Sequence, residues 1–292
     1  MTSAPPDTGI LRDHYVICNW NDLGDAIIRE LHASVLGERR AIVIVTDRPQ
    51  DVPQTEPESD DDPYHNVFVV PGDPTSDRVL ARANIKQAST AIVLSDPREG
   101  RRADTKSVLI ALAIEAIEPR VHTIVELLSS RSRIHFRYTH VDEVVCTDEL
   151  TEKLLAQSAI THGLSDFYLR LLTATEDTNE VYVVDVPEPF LGRTYRELEH
   201  ALVEYACEDL ILVGVQTEEI KTEDGQPVYN HHAQEIRTRV LTINPHCLDN
   251  VPPGSVQKHR DYILQPGDKL FLIAYHPPAL DRLAPPDGHR AP

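Results

Sequence analysis

Lysine is scarce in this chain of 292 residues. Only Lys86, Lys106, Lys153, Lys221, Lys258 and Lys269 occur, and the formal net charge is −19. So few cations argue against general nucleic-acid binding, which rests on Lys and Arg contacts to phosphate. The same surface repels anionic lipid headgroups. Two readings of the acidity stay open, a solubilising coat suited to high salt or a means of attracting cations. Cysteine is also sparse: Cys18, Cys146, Cys207 and Cys247 lie far apart with no C-x-x-C pair. That spacing indicates neither zinc nor a disulfide framework, and Cys18 and Cys146 read as buried thiols in apolar strand-like runs. No apolar run approaches the ~20 residues that span a bilayer. The opening "MTSAPPDTGILRD" has no basic segment followed by an apolar one, so no secretory signal is expected and the chain is expected to be cytoplasmic.

Catalytic signatures are missing too. There is no G-x-S-x-G elbow, no Walker lysine loop, no H-E-x-x-H and no Cys/His pairing in a sensible context. A dehydrogenase would need a substrate-side acid or base, and no residue nominates itself.

What is present is an alternation of strand and helix patterns. Residues 1–13 form a polar lead-in, expected to be disordered. Apolar runs at 15–19, 41–47, 67–70, 90–96, 121–127 and 143–146 are too short for helices and rich in β-branched residues. Between them lie helical patterns. One places Leu23, Ile27 and Leu31 on one face; another follows Asp73 as N-cap with Pro74 at the first helical position; a third is "ADTKSVLIALAIEAI". "SRSRIHFRYTH" reads as a short helix, while "RPQDVPQTEPESDDDPYH" and the "NHH" at residues 230–232 read as solvated loops. Doubly buried short strands alternating with helices define an α/β class with a Rossmann-like parallel sheet over residues 14–146. Residues 147–178 read as helix, turn at His162-Gly163, helix, with apolar faces that have no place on that sheet. From residue 179 to 283 strands dominate around one helix, a smaller α+β lobe, and residues 284–292 are a tail.

The first strand and turn, "HYVICNWNDLGDAIIREL", have the layout of a dinucleotide fingerprint without its first two glycines. In G-x-G-x-x-G the first Gly makes the tight turn, the second lets pyrophosphate approach and the third lets helix and strand pack. Asn19 tolerates positive φ and can keep the turn. Asn21 puts a side chain where pyrophosphate would run, and Gly24 keeps the packing role. Asp47, ending the second strand, stands at the ~20-residue spacing expected of an acid that holds a ribose hydroxyl. The nucleotide-free alternative is a bare Rossmann turn. Asp47, Asp73, Asp96 and Glu126 follow successive strands, where ligands of open parallel sheets bind. They suit ribose or adenine groups, or a hard cation such as Ca²⁺ with its six to eight oxygens. Otherwise they simply cap helices.

The segments "HYVICNWNDLGDAIIREL", "VVPGDPTSDRVLARANI", "ASTAIVLSD", "ALAIEAIEPRVHTIVEL" and "VDEVVCTDELTEKLLAQSA" resemble the RCK (regulator of potassium conductance, KTN or TrkA-N) domain. "VYVVDVPEPFLGRTYRELEHAL", "LILVGVQ", "LTINP" and "DYILQPGDKLFLIA" are similar to its TrkA-C-like companion. The resemblance implies a non-enzymatic cytoplasmic module that senses a ligand at the strand ends. Through the 147–178 crossover it would form homodimers, and these would form an octameric ring that gates a potassium channel or transporter at the inner face of the membrane. It implies adenine nucleotide (NAD, ATP or ADP) or Ca²⁺ as ligand. The nucleotide-side residues would be Asn19, Trp20, Asn21, Gly24, Asp47, Asp73 and Asp96, and the cation-side residues Asp96 and Glu126. Two departures stand out: the replaced glycines, and Leu128 where the calcium-gated branch carries a second acid two residues beyond Glu126. "CNWN" looks most like RCK domains attached to prokaryotic pores, with the pore on a separate subunit or elsewhere on the same polypeptide. The rival class is an NAD(P)-dependent oxidoreductase on the same lobe, and a third is a ligand-free assembly scaffold.

Overall fold

The structure, a computed structural model, describes residues 8–33, 39–53, 62–136, 139, 141–173, 179–205, 210–220, 222–223, 226–227, 237–243, 262–280 and 283. It divides into two units, Met1–Asp166 and Phe167–Pro292.

The first unit is built on strands β1 (His14–Cys18), β2 (Ile42–Thr46), β3 (Val67–Pro71), β4 (Ala88–Val93), β5 (His122–Leu127) and β6 (Glu143–Cys146). They form one sheet in the order β3-β2-β1-β4-β5-β6, every pair parallel. β2 shows why it is covered on both faces. Ile42 and Ile44 enter one core with Ile17, Trp20, Ile28 and Leu94. Val43 and Val45 enter the other with Val16, Cys18, Val93, Ile110 and Ile114. Because alternate strand residues face opposite sides, an unbroken apolar run requires cover on both. Helix α1 (Gly24–Leu31) supplies Ile28 to the first core, and α2 (Asp77–Arg82) and α3 (Ala103–Ile117) supply Leu80, Ile110, Ala111 and Ile114 to the second. The parallel sheet covered on both faces is as the sequence predicts; its strand order is that of a doubly wound fold.

Local expectations are corrected at four places. The buried line of α1 runs through Gly24 and Ile28 with Ile27 and Leu31 beside it, and Leu23 is 46% exposed. Gly24 lies on the buried line, where the Trp20 ring packs against it. Asp73 does not cap α2. Its carboxylate accepts from the Thr75 N–H (2.9 Å) and hydroxyl (2.8 Å), closing a turn of its own. The helix starts only at Asp77, with Ser76 before it. Finally, Thr8–Ile10 of the lead-in form a 3-10 turn, and the Asn84 side-chain amide donates to the carbonyls of Gly9 (3.1 Å) and Leu11 (2.8 Å). The expected short helix near residue 130 is a 3-10 segment, Ser130–Phe136.

Helices α4 (Thr147–Ile160) and α5 (Leu164–Leu172) have no buried residue; the division between units falls inside α5. No described helix is long and apolar enough to cross a membrane.

The second unit contains β7 (Glu180–Asp185), α6 (Tyr195–Tyr205), β8 (Leu210–Ile220), a hairpin of β9 (Thr222–Glu223) and β10 (Gln226–Pro227), β11 (Arg237–Ile243) and β12 (Lys269–Ala274). Its antiparallel sheet has the order β11-β8-β12-β7. Leu270 and Leu272 of β12 and Leu198, Ala201 and Leu202 of α6 share one core. A reciprocal cap sets the start of α6. The Thr194 N–H donates to Glu197 Oε2 (2.8 Å), and the Glu197 N–H donates back to Thr194 Oγ1 (3.2 Å). The hairpin has no counterpart in the sequence reading, and the 230–232 loop lies outside the described residues.

Candidate functional site: the crevice at the strand ends

The strand order reverses between β1 and β4, and ligands of such sheets bind outside the strand C-termini at that point. A crevice of about 630 Å³ lies there, lined among others by Trp20, Asn21, Asp22, Asp51, Asp96, Arg98 and Glu126.

Its floor is the turn after β1. Asn19 has φ 67°, the left-handed conformation that its residue type tolerates, and its side-chain amide donates to the Leu94 carbonyl (2.9 Å). Trp20 lies on Gly24 so closely that a Cβ there would come within 2.5 Å of the ring. Asn21 turns inward. Its amide nitrogen donates to the Ser95 carbonyl (2.7 Å) and to Glu126 Oε2 (2.9 Å), and its Oδ1 accepts from the Leu23 N–H (2.9 Å). One side chain thus ties together the turn after β1 and the ends of β4 and β5.

Glu126 is 7% exposed. Its Oε2 also accepts from the Ser95 N–H (2.9 Å). Burial pushes its carboxyl above the ordinary value; the bonds from Ser95 and Asn21 work against that, and Asp104 adds to it. Asp104 itself holds the segment after β5, accepting from the Leu128 N–H (2.8 Å), the Ser129 N–H (3.2 Å) and the Ser132 hydroxyl (2.6 Å).

Asp96 is 1% exposed, and its Oδ1 accepts from the Arg98 N–H (3.0 Å) and Nε (3.2 Å). Its other oxygen is paired with the Arg48 guanidinium. Arg98 Nη1 reaches Asp51 (2.9 Å), and Arg48 Nε lies 3.5 Å from Asp47. Asp47 in turn is bonded to Lys106 Nζ at 2.9 Å. Burial alone would raise the Asp47 carboxyl, but Lys106 and Arg48 more than offset it and hold it below the usual carboxylate range.

The sequence-nominated residues therefore divide. Trp20, Asn21, Asp96 and Glu126 line one crevice, with Gly24 beneath Trp20 and Asn19 buried behind the turn. Asp47 stands outside the lining, joined to it through Arg48, and Asp73 serves its own turn. Among the described residues no group of three or more His, Cys, Asp or Glu is placed to hold a metal ion. Asp51, Arg48 and Arg98 escaped the sequence reading. Asp51 and Arg48 sit in a polar segment without periodicity, and the only cue to Arg98 was its position two residues after a capping aspartate.

Residues 10–125 match the family model described as "Calcium-activated potassium channel slowpoke-like RCK domain". Curated relatives include the calcium-gated potassium channel TvoK of Thermoplasma volcanium, 27% identical over 198 residues, covering 66% of this chain and 53% of that protein. Another is the putative potassium channel protein YugO of Bacillus subtilis, 22% identical over 209 residues, covering 71% of this chain and 59% of that protein. The chain thus spans little more than half the length of these relatives. Among solved structures the human SLO3 gating ring has the same fold, with a TM-score of 0.54 and 14% identity over 90% of this chain and 44% of that one.

Proposed function

We propose that this chain is the cytoplasmic ligand-sensing module that regulates a potassium channel or transporter, and that it is not an enzyme. The RCK match over residues 10–125 and the channel relatives support this reading. The observation that carries the sensing role is the crevice at the switch point, where Asp96 and Glu126 are both buried and both reach the same cavity.

Asp22, Asp51, Asp96 and Glu126 line that crevice against Arg98, a balance that favours a cation such as Ca²⁺. Both buried acids are already engaged, Asp96 by Arg48 and Arg98 and Glu126 by Ser95 and Asn21. A cation drawing on them would displace Arg48 from Asp96. Arg48 directly follows Asp47 at the end of β2, so the exchange would shift the C-terminal end of β2 relative to that of β4. A ligand that binds one such arrangement better than the other biases the pair of states, and a pore can read the difference.

The exposed apolar residues of α4 and α5, among them Leu155, Ile160, Leu169 and Leu172, support a helical crossover between two copies, with dimers building a ring. The second unit would serve as the TrkA-C-like companion. The pore is either a separate subunit or another part of the polypeptide.

The test is potassium flux in vesicles holding a pore domain joined to this chain. Flux that responds to Ca²⁺ is expected, with adenine nucleotides as the comparison ligands. Flux indifferent to every one of them contradicts the reading, and hydride transfer between NAD(P)H and any substrate favours the oxidoreductase instead.

A further inference from the structure

The turn after β1 is where a dinucleotide's pyrophosphate would lie, held by N–H groups at the helix N-terminus. Here two of those groups are already taken by Asn21. The Leu23 N–H donates to Asn21 Oδ1 (2.9 Å) and the Gly24 N–H to the Asn21 carbonyl (3.1 Å). Gly24, the one fingerprint glycine that remains, is the packing one, and the Trp20 ring lies against it. Glu126 Oε2 stands 2.9 Å from the Asn21 amide, so a buried carboxylate faces the path of the phosphates. At the ribose end, Asp47 is bonded to Lys106 (2.9 Å). A dinucleotide therefore meets occupied donors, a like charge and an occupied ribose acceptor.

We infer that the Asn21–Glu126 pair is a specificity filter that keeps phosphate-bearing nucleotides out of this crevice. Asn21 consumes the donors and holds Glu126 in place; Glu126 supplies the repulsion. This inference does not depend on which cation, if any, the crevice takes.

The probes are NAD⁺ and ADP, titrated calorimetrically and by thermal shift near neutral pH against the intact chain and the variants Glu126→Gln, Asn21→Gly and the double variant. A Gln at this position keeps an acceptor for the Ser95 N–H and presents a donor to phosphate. The expected result is no nucleotide stabilisation of the natural chain, none of Asn21→Gly, and affinity tightened by at least about tenfold in Glu126→Gln, which removes a like charge. The double variant, which also frees the turn, is expected to bind tightest and carries the test if the single variant does not melt cooperatively. Saturable nucleotide binding by the natural chain overturns the inference, as does failure of both Gln variants to gain binding. A calcium titration of the same chain bears on the cation proposal alone.

Discussion

Gly24 shows at the residue scale how one position of a motif keeps its purpose when others are replaced. It holds the third fingerprint position, the packing one, because the Trp20 ring lies against it. Gly24→Ala would drive a Cβ to 2.5 Å from the Trp20 ring, and such overpacking costs about 1–3 kcal/mol. A lowered melting temperature in thermal unfolding is expected, and an unchanged one would mean the ring has room to move. Glu126 makes a second prediction at this scale. Its carboxyl is raised above 4.5, chiefly by burial, so its ionised form is less favourable in the folded chain than in the unfolded one. The penalty is present above the raised value and vanishes as pH falls below 4.5. Glu126→Gln is therefore expected to raise the melting temperature near neutral pH, with the gain shrinking on acidification. His14 works in the opposite sense. Burial lowers its value from 6.5 despite the Ala83 carbonyl and Asp13. Neutral His14 thus adds stability above 6.5, and that stability is lost as pH falls toward the lowered value. A melting curve measured against pH is expected to fall on the acid side of neutrality, and to fall less in His14→Gln.

Elements differ in how openly the sequence displays them. β2 and α3 were legible because their patterns leave no choice. "IVIVT" is buried at every position and must be covered twice, and α3 occupies Ala103–Ile117, the run that the sequence assigns to a helix. The start of α2 was not legible, since Asp73 has two good local uses and the Thr75 hydroxyl decided between a turn and a cap. The site divides the same way. Asp96 and Glu126 could be found because strand-end acids in a parallel sheet converge by topology. Asp51 and Arg48 could not, because their approach depends on how an aperiodic loop folds back. The helices α4 and α5 bury nothing within the described chain, which gives a prediction of their own. The double variant Leu155→Glu/Leu169→Glu is expected to lower the molecular mass in solution by sedimentation while leaving the circular dichroism of the folded chain intact. An unchanged mass would mean that these faces do not join copies.

At the scale of the whole molecule, the net charge of −19 and the scarcity of lysine accord with the proposed cation reading of the crevice better than with a nucleotide. Under the proposed function such binding would gate a pore, and the Arg48–Asp96 pair is what it would displace. Calorimetric titration of CaCl₂ into the intact chain, beside Asp96→Asn, tests this most directly. An Asn keeps the oxygen that accepts from the Arg98 N–H, so the turn survives while the charge is lost. Saturable binding by the natural chain, weakened by at least about tenfold in Asp96→Asn as expected for loss of a charged ligand, is the result that the account requires. Absence of binding, or equal binding by both chains, would contradict it.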